Sequence, residues 1–80
     1  MENNKEKLYN VVSEILGVKK SDINEKSSQD NIENWDSLAI VNMVTELERA
    51  FDVQFDILEI VEFYSIEIIR LILIEKGVKL

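Results

Sequence analysis

Asp36-Ser37-Leu38-Ala39-Ile40-Val41-Asn42-Met43-Val44-Thr45-Glu46-Leu47-Glu48-Arg49-Ala50-Phe51 decides the fold. Ile40, Met43, Val44, Leu47 and Phe51 recur at i, i+3, i+4, i+7 and i+11, the stripe of an amphipathic helix. Aspartate is a good N-cap, so this helix begins at Asp36 or Ser37 and runs to about Ala50. Leu38 and Val41 lie beside the stripe. The apolar surface is therefore wider than a single core contact requires.

Upstream, Leu8, Val11, Val12, Ile15 and Leu16 repeat the same spacing, with Gly17 placed to end the helix in the left-handed conformation. Asn3 or Asn4 caps its start. Residues 18–35 show no sustained period and are rich in Ser, Asn and Asp. They read as a long polar loop with Val18, Ile23, Ile32 and Trp35 as apolar pins and a short helical turn beginning at Ser21 or Asp22. So long a loop in so small a chain implies that it packs or functions.

Downstream, Asp52–Phe55 is a connector, and Asp56 caps a short turn through Ile57, Leu58, Ile60 and Val61. Ser65 then caps a last helix, with Glu67 in its first turn, Lys76 in its last and Gly77 just beyond. Ile66, Ile68, Ile69, Leu71, Ile72, Leu73 and Ile74 are apolar nearly all round, a pattern that a strand also satisfies. Capping signals at both ends and the lack of any partner strand favour the helix. The expected fold is all-α: a small four-helix bundle in one domain spanning 1–80. Three helices are long, the third is short, and the long loop joins helices 1 and 2.

Eighty residues leave room for one small domain, and 46% apolar with 31% charged residues is ordinary for a globular chain. There is no cysteine, no histidine and no proline. Disulfides, thiolate metal sites, a catalytic thiol and the commonest general base are thereby excluded. Ser37 has no histidine to take its proton, and every lysine lies outside residues 27–75. Asp22, Asn24 and Lys26 lack the glycine and terminal glutamate of a calcium loop. Neither an enzyme nor a metal site is expected.

The net charge is −7, and residues 33–62 carry all of that excess, with eight acids against Arg49 alone. Such a surface repels nucleic acids and anionic membranes and attracts basic proteins. The polar N-terminus lacks the apolar segment of a signal peptide, and apolar runs such as Leu71–Ile74 are far too short to span a bilayer. The expectation is a monomer in the cytoplasm, or inside an organelle of bacterial type if a transit peptide has been removed. Ser37 itself reads as a substrate: a phosphate ester at the first residue of a helix lies over the unpaired N–H groups of the helix start. The same Asp36-Ser37 pair also serves as a plain cap.

Three segments in order resemble the acyl carrier protein family: Asn34-Trp35-Asp36-Ser37-Leu38, then Leu47-Glu48-Arg49-Ala50-Phe51-Asp52-Val53, then Tyr64-Ser65-Ile66. In that family an Asp-Ser-Leu triplet opens the second of four helices, and the resemblance spans essentially the whole chain. It implies that Ser37 receives 4′-phosphopantetheine from coenzyme A through a phosphopantetheinyl transferase, the holo-synthase, and that Asp36 helps to present it. By the same resemblance Leu38 and Val41 dock partner enzymes, and Glu48 pairs with their basic residues. Leu47, Phe55, Phe63, Ile69 and Ile72 line an interior that shelters the acyl chain in the fatty-acid branch, or are ordinary core.

This chain departs from the family at four positions. Trp35 replaces a residue that is small in many members, and Ala39, Asn42 and Arg49 stand where fatty-acid carriers are often acidic. The implied function is delivery of acyl thioesters to basic-surfaced acyl-transferring or synthase enzymes, in fatty-acid or specialised biosynthesis (polyketide, nonribosomal peptide, surface modification). The alternative is an unmodified acidic helical module that binds a basic partner through its second helix.

Overall fold

The computed structural model describes residues 3–80. Four α-helices follow one another: α1 (Asn4–Leu16), α2 (Ser37–Phe51), α3 (Ile57–Ile60) and α4 (Ile66–Glu75), with a 3₁₀ turn at Lys20–Asp22. The all-helical expectation holds, and the ambiguous segment 66–75 is helix rather than strand.

Local chemistry sets most of the boundaries. The Asn3 side chain accepts the Glu6 N–H at 2.8 Å and so caps α1, which ends at Gly17 with φ 69°. Ser65 caps α4 through the Ile68 N–H. Asp56 and Glu59 form a reciprocal capping box around α3. Asp52 closes α2 at φ 54°, a left-handed position that aspartate tolerates. A lysine from another helix finishes that end: Lys7 Nζ donates to the Ala50 carbonyl at 3.0 Å and lies 5.2 Å above the Phe51 ring.

The α1 and α2 stripes pack against each other, and Leu8, Val12, Leu16, Met43 and Leu47 are buried where they meet. Phe63, Ile66, Ile69, Ile72 and Leu73 complete the same core from the other end of the chain. Only one side of α4 is buried; Leu71 and Ile74 face solvent.

The long loop is pinned rather than loose. Ile23 and Trp35 are buried, and Val18 and Ile32 pack half-buried against the core. Its backbone bonds the start of α4: Gln29 N–H donates to the Tyr64 carbonyl, Ile66 N–H to Ser27 and Glu67 N–H to Glu25. The Arg70–Glu25 ion pair, at 2.7 Å, ties the loop to α4 a second time.

Candidate functional site

Ser37 is the first residue of α2 and is exposed, flanked by exposed Asp36 and Leu38. Asp36 Oδ1 accepts the Ala39 N–H at 2.9 Å, and its carbonyl accepts the Ile40 N–H. The N–H groups of Ser37 and Leu38 precede the first intrahelical bond, so they carry the positive end of the helix dipole outward. A phosphate ester on the Ser37 oxygen fits this junction in charge and in access.

Two residues just before the serine hold the junction still. Trp35 is only 2% exposed, and its indole N–H donates to the Phe63 carbonyl at 3.0 Å. Asn34 Nδ2 donates to the Leu16 carbonyl at 2.9 Å, closing the end of α1. Trp35 N–H also bonds the Ile32 carbonyl. The serine therefore stands on a platform anchored to the end of α1 and to the segment just before α4. Neither long-range bond has a signature in the sequence beyond the apolar character of Trp35 and the polarity of Asn34.

Leu38 and Val41 are 70% and 56% exposed, outside the core. Glu48 differs from its neighbours: it is half-buried, and its Oε2 accepts the Phe55 N–H at 2.9 Å. That carboxylate ties the α2–α3 connector to α2, an occupation that the family pattern did not reveal. Arg49 sits in an exposed pair with Glu46 at 3.5 Å, so the lone base of the acidic middle is locally offset.

Leu47, Phe55, Phe63, Ile69 and Ile72 come together in one core, each no more than 8% exposed. Phe55 and Phe63 meet edge to face with ring centroids 5.2 Å apart. The helix between them turns outward. Ile57, Leu58 and Val61 are exposed, the first at 74%. Adjacent apolar residues in a four-residue helix cannot all face inward, and that was the one available sign of this patch.

Beneath α3, Lys76 Nζ lies 2.8 Å from Glu59 Oε1 and 5.4 Å from the Phe55 ring centre. The hydrogen bond from Lys76, with that from the Asp56 N–H, holds the Glu59 carboxyl below its ordinary value of 4.5. Among the described residues no cluster of three acids is placed to hold a metal ion. No helix among them is long and apolar enough to cross a membrane.

The family model described as a phosphopantetheine attachment site matches residues 6–69, from the first turn of α1 into α4. No curated protein sequence matches the chain.

Proposed function

The chain belongs to the phosphopantetheine-attachment-site family, and from that premise we propose that Ser37 is the residue that carries the arm. The family's prosthetic group is 4′-phosphopantetheine, and the chain's role is that of a phosphopantetheine carrier. The arm supplies a terminal thiol that holds acyl groups as thioesters. The chain's own residues present, anchor and recognise.

One observation carries the assignment: an exposed serine opens a capped 15-residue helix while Asp36 satisfies Ala39. The Ser37 hydroxyl would lose its proton and take the phosphopantetheine from coenzyme A as a phosphodiester, the donor's pyrophosphate bond breaking to release adenosine 3′,5′-bisphosphate. The outward N–H groups of Ser37 and Leu38 would stabilise the anion. Asp36 holds the helix start in the conformation that the transferase reads. Leu38 and Val41 supply apolar contact to that transferase and to later partners, which are basic-surfaced acyl-transferring or synthase enzymes of fatty-acid or specialised biosynthesis. Such docking must be brief, and charge-led association on a small apolar footprint gives fast binding with modest affinity. Glu48 serves docking only with the oxygen left over from its bond to Phe55. The carrier acts as one domain, as a cytoplasmic monomer, and catalyses nothing itself.

The test is intact mass after incubation with coenzyme A and a promiscuous phosphopantetheinyl transferase. A single phosphopantetheine adduct that fragmentation maps to Ser37 is expected. An unchanged mass would leave an unmodified acidic interaction module as the function.

A further inference from the structure

We propose that Asn34 is a positioning residue for the loading of Ser37: its side-chain amide fixes the direction in which the start of α2 meets the transferase. The inference rests on the carrier reading above. Asn34 Nδ2 donates to the Leu16 carbonyl at 2.9 Å, across 18 positions. That carbonyl belongs to the last turn of α1, where the helix itself supplies no donor. A run of bonds leads from there to the serine. The Asn34 carbonyl accepts the Asp36 N–H at 3.0 Å, and Asp36 Oδ1 accepts the Ala39 N–H at 2.9 Å. Ser37 stands between those last two bonds.

Trp35 anchors the same turn through the Phe63 carbonyl. One directional bond fixes a point but leaves the turn free to pivot about it. A second bond, to a different element, fixes its direction. Ile32 also packs half-buried on the core, but apolar contact is non-directional. Asn34 therefore sets the angle at which residues 33–36 enter α2. Its own side chain is exposed, so water can replace the amide at little cost to stability. Its effect falls instead on the transfer step, where the Ser37 oxygen needs a fixed approach to the phosphorus of coenzyme A.

The experiment compares the parent chain, Asn34→Ala and Asn34→Asp in steady-state loading from coenzyme A by a phosphopantetheinyl transferase. Urea unfolding and amide hydrogen exchange accompany it. Asn34→Ala should lower kcat about tenfold, with KM for the carrier within about twofold of the parent. Exchange at Ala39 and Ile40 should quicken while Met43 and Leu47 stay protected, and the unfolding midpoint should hardly move. Asn34→Asp keeps the shape but sets a charged acceptor against the Leu16 carbonyl. Its kcat should fall at least as far, although the added negative charge favours docking to a basic enzyme. An unchanged kcat would overturn the inference, as would a fall no larger than the loss of folded protein. A loss confined to KM would also overturn it, by making Asn34 a direct contact of the enzyme. A parent chain that gains no mass would instead overturn the carrier reading, and this inference with it.

Discussion

On the proposed function, Ser37, Asp36 and Trp35 carry separable duties within three positions. Ser37→Ala should abolish loading and leave the helical far-UV spectrum intact, with stability changed by less than about 1 kcal/mol, because alanine is a good helix former and the Asp36 cap survives. Asp36→Ala removes the bond to Ala39 and should cost about 0.5–2 kcal/mol in denaturant unfolding. It should also slow transfer to Ser37 by more than the loss of folded protein explains. Trp35→Phe keeps an aromatic ring in the core but strands the Phe63 carbonyl, at about 1–3 kcal/mol. Unfolding midpoints for the three variants, beside loading rates by intact mass, separate the chemical residue from its supports.

At the scale of elements, α3 is the piece held by polar ties. No residue of this four-residue helix is buried, and its start is fixed by the capping box, by Glu48 on the Phe55 N–H and by Lys76 on Glu59. Glu48→Ala should therefore raise hydrogen exchange at Phe55 and through 57–62 while α1 and α2 stay protected. The Glu59 tie gives a pH signature. Its carboxyl is depressed in the fold, so its stabilisation is complete above the ordinary value of 4.5 and is lost as pH falls through the lowered one. Lys76→Met should lower stability near neutral pH, and the gap to the parent chain should narrow on acidification across that window. Unfolding curves at several pH values check this; a gap of constant size would deny the Glu59–Lys76 bond any part in stability.

For the molecule as a whole, the proposed docking surface combines the acidic middle with the exposed apolar pair Leu38 and Val41 on α2. The charge of −7 should speed encounter with a basic partner, and that advantage should fade as salt shortens the Debye length from ~10 Å at 0.1 M to ~3 Å at 1 M. Val41→Ala should act instead through faster dissociation, with little dependence on salt. Rates for the holo-protein with its transferase or a synthase, measured at two ionic strengths, distinguish the two effects. A dissociation rate that Val41→Ala leaves unchanged at both ionic strengths would place the docking surface elsewhere than α2.

The sequence by itself determined the four helices, their caps and the exposed serine. Each of those depends on residues within four positions of one another: Asp36 with Ala39, Asp56 with Glu59, Ser65 with Ile68. Periodicity and capping are local physics, so they can be read in a single chain. Only the tertiary structure decided how the long loop is held and which way the apolar surfaces of α3 and α4 turn. Asn34 reaches Leu16 and Trp35 reaches Phe63 across 18 and 28 positions, and Glu48 leaves its place on the helix surface to bond Phe55. Those partners share no period. Leu71 and Ile74 are chemically the equals of Ile69 and Ile72, yet only the latter pair is buried. A run that is apolar nearly all round does not say which side will meet the core; contact with α1, α2 and the folded loop chooses it.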